Sequence, residues 1–354
     1  MTTPRVGIDW LGRLSLAPAT ATGAAPADVA PPNWYDVTWN PTAGCSPIGP
    51  GCGHCDAMRT VAQLARMGGK GGTRYAGLTT TGRAGVEWTG ELRVRDDVLA
   101  WPLLQRRTRR ILVNSLSDLF HERLATQTID AVHAVMTVAH WHKFLVQTRR
   151  ATRMRAYYVD PETPRRIAVE IGQLAEKILP GANSAPGEAG TDAPSPTGNA
   201  NARRAWTAGL ARVVTPDAAV LGPEPTAVTI EPWPLPNLYL GVSVEDETRA
   251  GRLGELLQTP AALRWACFEP LLGEVRLDHI PLGDGGYLDA LSGFRFDIDD
   301  RGRRLPIAAP ALPALDWVVA GGETGIGARP ILPGWIRTLR DACAAAGVPF
   351  YFKQ

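Results

Sequence analysis

Six short apolar runs recur along this chain, and each ends in polar or acidic residues. Ile111 to Val113 leads into Asn114, Ser115, Ser117 and Asp118; Phe144 to Val146 into Gln147, Thr148 and Arg149; Leu238 to Val242 into Ser243, Glu245 and Asp246. Arg264 to Phe268 meets Glu269 and Pro270, Trp317 to Ala320 meets Gly321, Gly322 and Glu323, and Pro349 to Phe352 meets Lys353 and Gln354. Such runs read as strands buried on both faces, the environment of a parallel sheet. Helical stretches fall between them. In 164–178, Thr163 is placed to cap, Pro164 suits the first turn, and Ile167, Ile171, Leu174 and Ile178 form one apolar stripe. A second, 334–346, is stopped by Gly347 and Pro349. Alternation of this kind implies parallel crossovers, so the expected class is α/β, built as a barrel or an open doubly wound sheet with its site at the strand C-termini.

With 354 residues, 45% hydrophobic and 20% charged, the chain can bury one large α/β domain or two small ones, which excludes a disordered tail or a disulfide miniprotein. No run approaches the roughly 18 apolar residues of a membrane span, and no basic segment followed by an apolar one opens the chain, so we expect no membrane association and a cytoplasmic location. A net charge of +2 gives no global argument for nucleic acid, although Arg106, Arg107, Arg109 and Arg110 form one local cluster and Arg149, Arg150, Arg153 and Arg155 another. Residues 1–33 are expected to be a mobile arm, because 16–32 are rich in Ala, Pro and Thr. The domain then spans 34–354 and carries two insertions. Residues 181–205 contain no Val, Ile, Leu, Met or aromatic residue and read as a flexible insertion, while 283–312 open with Gly283, Asp284, Gly285 and Gly286 and read as a second insertion with a small hairpin.

Three of the five cysteines, Cys45, Cys52 and Cys55, crowd into one Gly- and Pro-rich stretch, which is unlike a secreted disulfide framework. Glycine lets backbone amides approach inorganic sulfide, and thiolates are the ligands that iron–sulfur clusters need. Zinc is the rival, with His54 or Cys267 as fourth ligand. Neighbouring His54 and Cys55 are awkward joint ligands, and no second cysteine pair at zinc-finger spacing follows. Cys343 shares an apolar stripe with Trp335, Ile336 and Leu339 and reads as an inert core thiol, and Trp39 and Trp317 read as packing residues.

The segment Trp39-Asn40-Pro41-Thr42-Ala43-Gly44-Cys45, the C-x6-C-x2-C spacing and the runs 114–121, 240–245, 268–273, 321–325 and 350–354 resemble the phage-associated three-cysteine-motif family, itself similar to radical S-adenosylmethionine (SAM) enzymes. The usual radical SAM spacing is C-x3-C-x2-C, and His54 stands where an aromatic normally precedes the last cysteine. The resemblance implies a partial (β/α)6-type barrel of parallel strands with a [4Fe–4S] cluster on Cys45, Cys52 and Cys55. SAM would bind the open iron, and its reductive cleavage would give methionine and a 5′-deoxyadenosyl radical that abstracts hydrogen from a substrate. It also implies an electron donor of the flavodoxin or ferredoxin type; the substrate is unidentified, with a nucleic-acid base or nucleotide suggested by the phage association together with the local basic patches.

By position, the resemblance assigns the SAM amino group to Asn114, Ser115, Ser117 and Asp118, and the ribose or carboxylate to Ser243 and Glu245. Glu269 is expected in the barrel interior, and Gly321, Gly322 and Glu323 toward substrate or ribose. Arg329 and Lys353 are candidate anion contacts, and Arg149 and Arg150 stand at a strand end from which they can point into the site. Two other readings stay open at this stage. One is a zinc-stabilised nucleic-acid-binding protein gripping phosphate with Arg106 to Arg110; the other is a barrel hydrolase using Asp118, Glu245, Glu269 and Glu323 with structural cysteines.

Overall fold

The computed structural model describes residues 6–8, 14–16, 34–82, 85–178, 230, 232–307, 311–325 and 327–353. Most of the 1–33 arm and the whole of 181–205 lie outside the described residues. At the centre is a seven-stranded sheet of β1 (Val37–Trp39), β2 (Arg110–Val113), β3 (Lys143–Thr148), β4 (Leu238–Ser243), β5 (Leu263–Phe268), β6 (Trp317–Gly321) and β7 (Phe350–Lys353). Every neighbouring pair is parallel, and the spatial order is the sequence order from β1 to β7.

That order decides between the two architectures left open above. A doubly wound sheet reverses direction once, whereas crossovers that always advance the same way put all helices on one face. The result is a partial barrel of parallel strands. Among the described residues its sheet has seven strands: β1 adds to the six apolar runs, its three residues being too short and too mixed to read as one.

Period-two alternation then sorts the strand residues. Ile111, Val113, Phe144, Val146, Leu240, Val242, Ala266, Phe268, Val318 and Ala320 face outward and pack in one core with the helices. These helices are α2 (Thr126–Val138), α3 (Ala151–Val159), α4 (Thr163–Ile178), α5 (Gly251–Leu257) and α6 (Pro333–Ala346); the first, α1 (Asp56–Arg66), follows the cysteine loop. Gly347 ends α6 in the left-handed conformation as expected. Thr163 is the first residue of α4 and not its cap; its hydroxyl donates to the Tyr157 carbonyl (2.7 Å) and accepts from Arg166 (2.6 Å).

The alternate residues face the barrel interior. At the N-terminal end of the strands these are Leu112, Leu145, Tyr239, Trp265 and Trp317, which pack together with Trp34. Trp34 reaches across from the start of β1 to Trp265 on β5 and Trp317 on β6, with ring centroids 5.0 and 5.6 Å away. The Trp265 ring lies against Gly241, its partner in register on β4, where an added Cβ would fall 2.3 Å from the ring. This aromatic floor closes one end of the barrel and leaves the other for polar groups.

Between β5 and β6 the chain forms a four-stranded antiparallel meander (Ile280–Pro281, Tyr287–Leu288, Arg295–Ile298, Arg304–Pro306) in place of a helix. The insertion is thus larger than the hairpin expected and begins at Ile280, whose side chain joins the main core. Among the described residues, no helix is long and apolar enough to cross a membrane.

His133 on α2 ties that helix to α3. Its Nδ1–H donates to the Ile129 carbonyl (2.8 Å), so Nε2 accepts from the Tyr158 hydroxyl (2.7 Å). Burial pushes the imidazole down to about 4 from 6.5. A histidine depressed in the folded state stabilises fully above its unfolded pKa, and that contribution fades as pH falls from there toward the folded value. We predict that the chain loses about 2 kcal/mol from this group between about pH 7 and pH 5, and that His133→Leu abolishes that part of the slope. Urea unfolding of both proteins across that range checks it; parallel slopes would refute it.

Candidate functional site

At the C-terminal end of the strands the interior alternation continues into polar residues: Asn114, Gln147 and Arg149, Ser243 and Glu245, Glu269, Glu323 and Lys353. All of these but Glu245 line a cavity of about 490 Å³ that runs from Trp34 and Tyr35 to the cysteine loop. Cys45, Cys52 and Cys55 all line it, with Cys52 buried and the other two half-buried.

The cysteine loop is built across the barrel mouth. After β1, Thr42 and Ala43 pair antiparallel with Val94 and Arg93. Gly44 then turns with φ +93° where an added Cβ would lie 2.1 Å from the Glu91 carbonyl oxygen, so a side chain is excluded there. Its amide donates to the Leu116 carbonyl (3.1 Å), tying the loop to the segment after β2. A short 3₁₀ turn, Pro50–Cys52, follows, and α1 starts right after Cys55. On the far side, Arg329 donates to the Pro50 carbonyl (2.8 Å), and Gly51 lies on the Glu245 side chain. The loop therefore touches residues that follow β2, β4 and β6.

Two consecutive arginines at the end of β3 supply the charge. Arg149 Nε donates to Glu245 Oε1 (2.6 Å), and its Nη2 donates to the Glu269 carbonyl (3.4 Å). Arg150 is buried and donates to Glu122 (2.7 Å), Asp118 (3.1 Å), the Ser46 carbonyl and hydroxyl (3.1 Å each) and Cys45 Sγ (3.7 Å). Burial alone would lower both arginines, but Glu245 for the first and Asp118 and Glu122 for the second outweigh it and raise them. Burial, assisted by Asp118, pushes the Cys45 thiol up to about 12, and Arg150 opposes that shift.

Of the expected site residues, Asn114, Ser115, Ser117, Asp118, Ser243, Glu269, Gly322 and Glu323 line the same cavity as the three cysteines. Glu245 and Gly321 do not. Glu245 is fully buried, with one oxygen on Arg149 and the other on Arg252 (2.8 Å), and Gly321 uses its carbonyl to accept from the Leu271 amide (2.9 Å). Asp118 lines the cavity but has no acceptor position to spare. Oδ1 accepts from the Phe120 amide (2.9 Å) and the Thr148 hydroxyl (2.6 Å), and Oδ2 from the Arg149 amide and Arg150 (3.1 Å each). Ser117 shares a hydrogen bond with the Thr42 hydroxyl (2.6 Å), and Ser115 donates to Asn40 (3.2 Å). Asn114 differs. It takes φ 58°, an uncommon conformation for a residue other than glycine, and its buried Oδ1 has no partner.

Glu269 pairs with Lys353 (2.7 Å) and Glu323 with Arg329, so both candidate anion contacts already hold carboxylates. The four carboxylates of the hydrolase reading are thus each tied to a cation. Burial would raise Glu323, but its bonds from Arg329 hold it below the usual range. Arg109 and Arg110 stand at the opposite, N-terminal end of β2, where Arg110 binds Asp36 (2.7 Å). Trp34, Thr38 and Asn40 also line the cavity and escaped sequence reasoning; Gln147 and Arg149 carry a signal, since i, i+2 spacing from Leu145 puts them on the inner face. Among the described residues no three His, Cys, Asp or Glu side chains stand together as a ready-made metal site.

A partial parallel barrel with a thiol-bearing loop over its mouth is the class that fold and site define. Residues 31–354 match the family described as protein of unknown function (DUF5131), and the chain belongs to that family. No curated protein and no solved structure matches it.

The loop's seat on Glu245 is testable. An added Cβ at Gly51 would fall 2.6 Å from Glu245 Cγ, whereas at Gly53 the nearest atom is the Pro50 carbonyl oxygen at 3.5 Å. We predict that Gly51→Ala destabilises by about 1–3 kcal/mol through overpacking. Gly53→Ala should stay within about 0.5 kcal/mol. Equal effects in urea unfolding would show that Glu245 does not support the loop.

Proposed function

We propose that this chain is a radical SAM enzyme that holds a [4Fe–4S] cluster on Cys45, Cys52 and Cys55, binds SAM beside it, and acts on a nucleobase or nucleotide. The observation that carries this reading is that all three thiols of one loop line one cavity at the C-terminal end of a parallel partial barrel. Thiolates are the ligands such a cluster requires, and three of them come from one Gly- and Pro-rich loop, with the charge of Arg150 against one of them. Three protein ligands leave one iron of a four-iron cluster open, and the bound pair would supply one-electron cleavage of a sulfonium and hydrogen abstraction.

The chain's own part is placement and exclusion of water. Asn114 is suited to accept from the SAM amino group through its unpartnered Oδ1, a role the saturated Asp118 does not fit. The same cavity wall carries Trp34, Tyr35, Thr38, Asn40, Gln147 and Ser243 beside the Glu269–Lys353 pair, which supports a planar substrate moiety with polar edges. The electron would come from a flavodoxin- or ferredoxin-type donor.

Anaerobic reconstitution tests the cluster. We predict about four iron and four sulfide per chain in the wild type. Cys45→Ala, Cys52→Ala and Cys55→Ala should each lose the cluster, while Cys267→Ala and Cys343→Ala keep it, since both of these are core thiols outside the cavity lining. Zinc in place of iron, or a cluster that survives loss of all three loop cysteines, would refute the assignment. For SAM, Asn114→Gly suits the left-handed backbone and removes only the amide. Its iron content should equal wild type while SAM affinity, read by calorimetry, falls about tenfold to a hundredfold. Unchanged affinity would move the amino group elsewhere.

A further inference from the structure

Among the described residues, Arg150 is the cation that reaches both the sulfur and the backbone of the cysteine loop at its first thiol. Its Nη1 lies 3.7 Å from Cys45 Sγ, and its Nη2 donates to both the Ser46 carbonyl and the Ser46 hydroxyl at 3.1 Å. That hydroxyl meets His121 Nε2 at 2.7 Å. The His121 Nδ1 accepts from the Arg123 amide (3.1 Å), which leaves the proton on Nε2 and makes Ser46 an acceptor from two sides.

The guanidinium has little freedom to move. Its Nε is taken by Glu122 and its Nη1 is shared with Asp118, whose four acceptor positions are all filled. Asp118 in turn is fixed by the ends of both β2 and β3, so the fork is aimed by two strands and not by the loop it holds. Only an arginine does this: a planar fork can serve Ser46 and Cys45 together, whereas an ammonium supplies charge without the fixed geometry.

We propose that Arg150 is the positioning residue of the cysteine loop, which locks the Cys45–Ser46 backbone and donates an N–H to the Cys45 sulfur so as to set both the retention and the reduction potential of the bound cluster. This rests on the cluster reading above. A cation and an N–H donor at a ligating sulfur favour the reduced, more negative cluster and raise its potential. Glu122, on the other side of the same guanidinium, acts in the opposite sense.

The test uses the reconstituted full chain, with cluster potential read by redox titration and retention by the rate at which an iron chelator strips the cluster. Arg150→Gln should lower the potential and speed stripping about tenfold. Arg150→Lys should recover most of the potential but not the retention, because charge returns without the fork. Glu122→Gln, at an exposed side chain whose loss leaves the fold in place, should raise the potential. Opposite shifts at the two ends of one guanidinium are an electrostatic signature that general loosening does not produce. Wild-type potential and stripping rate in Arg150→Gln, or shifts of the same sign in Arg150→Gln and Glu122→Gln, would overturn the proposal. If Arg150→Gln does not fold, Glu122→Gln alone decides, an unmoved or lowered potential counting against it. A wild-type chain that takes up no iron overturns the cluster reading itself, a result distinct from an iron-loaded chain with an unmoved potential.

Discussion

Arg149 and Arg150 leave the end of β3 in different directions, and the groups that meet them hold together the ends of four other strands. Arg149 meets Glu245 after β4 and the Glu269 carbonyl after β5; Arg150 meets Asp118 after β2 and Ser46 after β1. Burying charge is costly, and removing one partner of such a pair is worse than never having had it. The arrangement survives because the donors and acceptors are nearly all matched: Asp118 accepts four hydrogen bonds, and Glu245 has one arginine on each oxygen.

This matching shapes what the mouth can do. Carboxylates already committed to cations are poor general bases, so the polar rim reads as a frame that aims other groups. What it aims is the loop with three thiols, which it fastens from the ends of β3 and β6 through Arg150 and Arg329. Asn114 donates its side-chain amide to Thr42 (3.0 Å) yet keeps its Oδ1 acceptor unspent, in a backbone conformation that the surroundings must hold in place. Structural satisfaction and chemical availability are thus divided between neighbouring residues of one strand end.

The two ends of the barrel differ for a simple reason. Inner positions near the strand N-termini carry Leu112, Leu145, Tyr239, Trp265 and Trp317, and Trp34 crosses the interior to pack on two of them. Once that floor is filled with rings, the remaining volume lies beneath the cysteine loop, where the same strands have turned polar.

Much of this was legible in the residues. Six of the strands, α4 and α6 follow from local apolar period and from stop signals such as Gly347, because those depend only on residues within a turn or two. The loop with Cys45, Cys52 and Cys55 and the polar strand ends were equally visible, since spacing along one segment carries them. The short β1 was not, as a three-residue strand holds too little pattern. Nor were the partnerships. That Asp118 is spent on Thr148, Arg149 and Arg150, that Glu245 sits behind the cavity wall, and that Arg150 reaches Cys45 across 105 positions all depend on long-range pairing. The sequence by itself determined which residues arrive at the barrel mouth, because strand period and polarity are local properties. Only the tertiary structure decided which of them are consumed in holding it together and which are left over, because a hydrogen-bond acceptor is free or filled according to the neighbours that the sheet order brings to it.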